Sequence, residues 1–132
     1  MTEDQIQMIQ RTFGKVALIR QQAAAQFYDR LFTLDPTLKP LFKGNMGEQG
    51  EKLMATIATA VRHLKNPEAI RDSVAKMGER HRGYGVQDRH YDTVAAALLW
   101  TLEQNLGPDF TPDVRKAWTD MYVLVAGIMK AA

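Results

Sequence analysis

The sequence has no cysteine among its 132 residues, which excludes disulfides, thiolate zinc sites and a cysteine nucleophile. The fold must rest on packing, and any metal must be held by histidine, carboxylate or an organic macrocycle. Serine occurs once, as Ser73; it sits in a helical pattern with no acid–histidine partner nearby in sequence, so a hydrolase triad is not expected. Long apolar runs are missing. The longest uncharged stretches, Thr93–Leu102 and Met121–Met129, are about half the ~20 residues needed to span a bilayer. No apolar segment follows the acidic Glu3 and Asp4, so no secretory signal is read, and a soluble cytoplasmic protein without a membrane partner is expected. Neither sign of charge dominates: 17 basic and 15 acidic side chains give a net +2, with no Lys/Arg run of four. A nucleic-acid partner is therefore not expected. Glycine-rich phosphate loops and the Glu-x-x-His pair of carboxylate-bridged dimetal bundles are also absent.

What is present reads as helix. Thr2 with Gln5 three residues on is a capping-box signal, continued as an amphipathic helix by Ile6, Ile9, Phe13 and Val16. The segment Gln21–Asp35 favours helix by its alanine and glutamine content, with Phe27, Leu31 and Leu34 on one face and Tyr28 beside them. Asp35 and Pro36 open a short helix that Pro40 keeps short and Phe42 ends. Lys43–Gly47 then reads as a loop that holds the Phe42 ring at a chain reversal. From Glu48 a helix turns Leu53, Ile57, Ala60, Val61 and Leu64 inward, with Gln49 one turn before Leu53 on the same face. The last helix opens at Thr111 and Pro112 and turns Val114, Ala117, Trp118, Met121, Val125 and Ile128 to the core. No strand alternation, repeat or linker appears, so an all-α fold of six to seven helices in one domain, 1–132, is expected.

The stretch between Asn66 and Tyr91 carries the chemistry. Asn66 and Pro67 read as a cap and first helical residue, after which Ile70, Val74, Met77 and His81 follow at steps of four, three and four and share one face. A histidine at the end of an apolar stripe is either a packed imidazole bonded to a carbonyl or a metal ligand. Gly83 and Gly85 end that helix. Asp88 reads as the cap of the next, which carries Tyr91, Val94, Leu98 and Leu102 on one face and ends at Leu106 before Gly107 and Pro108. If His81 binds a metal, Tyr91 is a candidate to orient its ring. One histidine cannot hold a bare ion, so a cofactor would supply the other ligands. A haem pocket fits this set: the porphyrin gives four nitrogens, a proximal imidazole the fifth bond, and the sixth position is left for a small gas.

The whole chain from Thr2 to Met129 resembles the globins, most closely the single-domain bacterial haemoglobins and the haem domain of flavohaemoglobins. The motifs that carry the resemblance are FYDRLF, DPTLKPLF, GEQGEKLM, GERHRGYGV, HYDTV, LG with FTPD, and AWTDMY. The resemblance implies the globin fold, with haem b (iron protoporphyrin IX) as cofactor and His81 as proximal iron ligand. It implies that Phe42 wedges against the porphyrin, that Tyr28 and Gln49 are distal donors over the bound gas, and that Leu53 is the distal apolar residue. Lys52 and Arg80 lie where basic side chains of the family meet the haem propionates, and Met77, Val86, Tyr91 and Val94 fall at further cofactor contacts. His63 and His90 are expected to be structural or solvated. In the flavohaemoglobin-like branch a tyrosine and a late glutamate orient the proximal histidine. No glutamate follows Asp120 here, so a strong proximal push toward peroxide chemistry is not expected.

The first expectation for function is reversible binding of dioxygen, and of other diatomic gases such as nitric oxide, at a five-coordinate iron. The second is a nitric oxide dioxygenase fed by a separate reductase, with weak peroxidase activity as a further possibility. A cofactor-free helical interaction module is the rival from a different class.

Overall fold

In the computed structural model, which describes residues 1–132, six α-helices and three 3₁₀ turns follow in order with no strand. They are α1 Glu3–Ala17, α2 Arg20–Leu34, a 3₁₀ helix Pro36–Leu41, α3 Met46–Arg62, a turn Pro67–Ile70, α4 Arg71–Gly83, α5 Asp88–Leu106, a turn Gly107–Asp109 and α6 Pro112–Ala131. The all-α expectation holds, and the 3₁₀ helix Pro36–Leu41 is the seventh helix.

Caps explain most boundaries. The Thr2 hydroxyl accepts the Gln5 N–H at 3.1 Å while the Gln5 side chain accepts the Thr2 N–H at 3.0 Å, the reciprocal box that satisfies two otherwise free donors. Asp35 Oδ1 accepts the Thr37 N–H at 3.0 Å and Thr111 Oγ1 the Val114 N–H at 3.2 Å. Asn45 Oδ1 accepts the Glu48 N–H at 3.1 Å, so α3 begins at Met46 and takes in residues that read as loop. Two more boundaries differ from the sequence reading. Asn66 makes no side-chain cap, and a 3₁₀ turn leads into α4. The cap of α5 is Gln87, not Asp88, because the His90 Nδ1 reaches back to accept the Gln87 N–H at 2.9 Å. Past α5 the chain reverses at Gly107, whose φ of +53° favours glycine.

The main core joins α1, α3, α5 and α6 around Trp118, which is fully buried with Ile9, Val114 and Thr12. Its indole N–H donates to Thr12 Oγ1 at 2.9 Å, and that hydroxyl donates to the Met8 carbonyl at 2.7 Å, so the buried polar atoms are paired. α2 packs on α5 and α3, and α4 on α6. At the α2–α3 crossing Gly50 passes so close that a Cβ on it would lie 3.0 Å from Ala24 Cβ.

Candidate functional site

Two smaller clusters flank the main core. One joins α2, Leu38 and α5 through Phe27, Tyr28, Leu31 and Ala97; the other joins α4, α5 and α6 through Val74, Tyr91, Ala126 and Met129. Against them lie Phe42, Leu53, Met77, Val86 and Val94, apolar side chains from five segments, each only half-buried. Half-covered apolar side chains of this kind are the material from which ligand clefts are lined. His81 is half-buried at the end of α4.

The His81 ring has a fixed tautomer. Its Nδ1–H donates to the Met77 carbonyl at 2.8 Å, so the lone pair sits on Nε2, the arrangement of a ligating imidazole. Burial pushes its pKa below the ordinary histidine value, the Arg80 charge adds to this, and the bond to Met77 opposes it. The neutral form is the one a metal takes. The two readings of a stripe-ending histidine are thus compatible: one nitrogen is bonded to a carbonyl and the other is left as a donor. The group that orients the ring is the Met77 carbonyl rather than the Tyr91 hydroxyl. Tyr91 is buried, with the Lys130 ammonium 5.6 Å from its ring centroid, and its carbonyl accepts the Tyr122 hydroxyl at 2.6 Å.

On the other side, α2 and α3 bring Tyr28 and Gln49 together. The Tyr28 hydroxyl donates to the Gln49 backbone carbonyl at 3.2 Å, while the Gln49 amide donates to the Lys43 carbonyl at 3.3 Å. Both bonds are long. Burial pushes the Tyr28 pKa up to about 12, so its hydroxyl keeps its proton and remains a donor. Phe42 meets Tyr28 edge-on at 5.3 Å between centroids. Phe32 stacks on Tyr28 at 6.1 Å; its place four residues after Tyr28 was a legible signal that the sequence reading left unused. Phe27, Leu53, Met54, Ile57, Leu98 and Trp118 help line an apolar cavity of about 20 Å³, room for one water-sized molecule but with no polar partner for water. Lys52 and Arg80 are exposed. His63 gives its Nδ1–H to the Thr59 carbonyl at 2.8 Å. His90 is 4% exposed and serves the α5 cap, with its Nε2 buried and without a hydrogen-bond partner.

No three His, Cys, Asp or Glu side chains converge to hold a metal ion. A single neutral imidazole at the half-buried end of an apolar helix face instead suits a planar cofactor that carries its own metal and equatorial ligands. The sequence matches the Globin family over residues 25–129. The chain is a globin. It is 34% identical to a neuroglobin of Danio rerio over 77% of this globin and 73% of that protein. It is 31% identical to a flavohemoprotein of Vibrio cholerae over 97% of its own length, and spans a third of that protein. Among solved structures, a bacterial globin from Campylobacter jejuni superposes with a TM-score of 0.84 at 31% identity, covering 98% of this chain and 97% of that one. An engineered carbene transferase, made from a Rhodothermus marinus protein described as a nitric oxide dioxygenase, superposes with a TM-score of 0.88 at 25% identity, covering 99% and 92%. As a globin, this chain binds haem and, through it, small gaseous ligands. No helix is long and apolar enough to cross a membrane.

Proposed function

We propose that this globin binds dioxygen reversibly at haem b, with His81 as the proximal ligand and Tyr28 as the principal distal donor. The observation that carries the reading is the His81 ring, whose Nδ1–H is given to Met77 at 2.8 Å so that Nε2 keeps its lone pair beside half-buried apolar side chains. Haem, held through His81, would supply an iron able to bind a diatomic gas. The chain does the rest. Phe42, Leu53, Met77, Val86 and Val94 would hold the apolar body of the cofactor and keep water from it, and Lys52 and Arg80, both exposed, would meet its carboxylates. A bound dioxygen draws negative charge, which favours hydrogen-bond donors over it. The Tyr28 hydroxyl and the Gln49 amide are donors held on carbonyls by bonds of 3.2 and 3.3 Å, long enough to be exchanged cheaply for a charged acceptor.

The test is the visible absorption spectrum of the purified globin as isolated, reduced with dithionite, and reduced under oxygen. A persistent oxygen-bound spectrum is expected, and His81→Ala is expected to lose stable haem retention. Protein that stays colourless after haem addition would refute the reading and leave a helical interaction module.

A second reading, nitric oxide dioxygenase, is favoured by the likeness to the Rhodothermus marinus protein. It needs a separate reductase to return ferric iron to the ferrous state after each cycle. Sustained nitric oxide consumption with a reductase, above the rate without one, separates it from storage; peroxidase turnover is read in the same assays.

A further inference from the structure

We propose that Gly78 is a positioning residue for His81: its bare backbone, pressed against Met129 of α6, sets where α4 holds the imidazole. The inference rests on the haem reading of His81 and goes beyond it.

A glycine inside a helix costs about 1 kcal/mol relative to alanine, so its presence in the middle of α4 calls for a compensating reason. The structure supplies one. Gly78 is buried, and a Cβ built on it would lie 2.3 Å from the Met129 carbonyl oxygen, 2.6 Å from its Cα and 2.8 Å from its carbonyl carbon. All three are backbone atoms, so no side-chain rotation relieves the overlap. Contacts of a Cβ are essentially never shorter than 3.0 Å, so any side chain at 78 drives α4 from α6 by at least about 0.7 Å, the shortfall between 2.3 and 3.0 Å. By contrast Gly83 of α4 and Gly127 of α6 have open space where a Cβ would sit.

The displaced atoms are those that hold the imidazole. The carbonyl accepting the His81 Nδ1–H belongs to the peptide joining Met77 to Gly78, and Gly78 is the residue pressed on Met129. His81 follows three residues later, on the adjoining turn. The far end of the contact is tied by Arg82 Nη2, which donates to the Lys130 carbonyl at 3.0 Å. α6 is in turn bonded to α5 through Tyr122 and the Tyr91 carbonyl at 2.6 Å. The last turns of α6 are therefore the surface from which the seat of His81 is measured.

The experiment compares Gly78→Ala with Gly127→Ala as haem-loaded proteins. It reads the iron–histidine stretching band of the ferrous form by resonance Raman and the dioxygen dissociation rate. A shifted band in Gly78→Ala with a several-fold change in dissociation, and wild-type values for Gly127→Ala, is the expected result. A wild-type band in haem-loaded Gly78→Ala overturns the proposal. Should Gly78→Ala fail to fold, Arg82→Gln decides, because it loosens the same α4–α6 contact without adding atoms: a shifted band supports the proposal and an unchanged band overturns it. Absence of any haem band in the wild-type globin is a distinct result, which removes the haem reading and the proposal with it.

Discussion

Replacing Tyr28 by phenylalanine removes one oxygen atom from the distal side and leaves the ring packing between Phe27, Phe32 and Phe42 in place. With a pKa of about 12, the hydroxyl is a donor throughout the neutral range. A hydrogen bond to an acceptor that carries charge contributes roughly 1.5–3 kcal/mol, and the neutral bond given up roughly 0.5–1 kcal/mol. The Gln49 bond lies at the weak end, since 3.2 Å exceeds the ~2.7–2.8 Å usual for O–H···O. The net gain on binding dioxygen is then about 1–2 kcal/mol, which corresponds to roughly 5–30-fold faster dissociation in Tyr28→Phe. Stopped-flow displacement of dioxygen measures this directly, and carbon monoxide, which draws less charge, is expected to change much less. Thermal unfolding should barely move, because the lost bond is long and its acceptor is a helical carbonyl. A Tyr28→Phe protein with a native spectrum and an unchanged dioxygen dissociation rate would refute the donor role.

Two further outcomes follow from the packing. Thr12→Val leaves the buried Trp118 N–H without its acceptor at 2.9 Å and is expected to cost about 1–3 kcal/mol in urea unfolding; a cost under about 0.5 kcal/mol would mean that the indole finds another partner. Tyr28 has its pKa raised in the fold, from 10.0 to about 12, so the stability it confers is fully present below the unfolded value and is lost as pH rises toward the folded one. The stability difference between wild type and Tyr28→Phe should therefore be constant below pH ~9 and shift by about 1.4 kcal/mol against wild type by pH ~11, and a flat difference would contradict the burial of the hydroxyl.

Where a structural feature is a local bargain between a side chain and the backbone beside it, the sequence was a sufficient guide. Thr2 with Gln5, Asp35 with Pro36, Thr111 with Pro112 and the reversal at Gly107 all lie where their spacing places them. The α5 cap was misplaced by one residue because an imidazole, His90, makes the return bond that a glutamate or glutamine usually makes. The stripe ending at His81 was legible as a face, but its orienting partner was not, since the acceptor is the carbonyl of Met77 and every residue has one. Gly78 left only the faint signal of a glycine between stripe positions; its meaning depends on Met129, which arrives from the other end of the chain. Tyr28 and Gln49 are neighbours in the fold. That the hydroxyl meets the Gln49 backbone while the amide turns to Lys43 depends on the start of α3, which Asn45 moves forward to Met46.

The close pass of Gly50 against Ala24 ties the proposed distal donors, Tyr28 and Gln49, to a pair of helices, α2 and α3, that is distinct from the pair α4 and α6 around His81. If Tyr28, Gln49 and His81 act as proposed, changes on the first pair bear first on how long a gas is retained and changes on the second on the character of the iron, although the two pairs also meet, through α6, in the core around Trp118. Of the two smaller clusters, α5 is the shared helix, contributing Ala97 to one and Tyr91 to the other. On that reading, adaptation to a new gas has the most freedom on α2 and α3, and the least within the five residues that separate those two side chains.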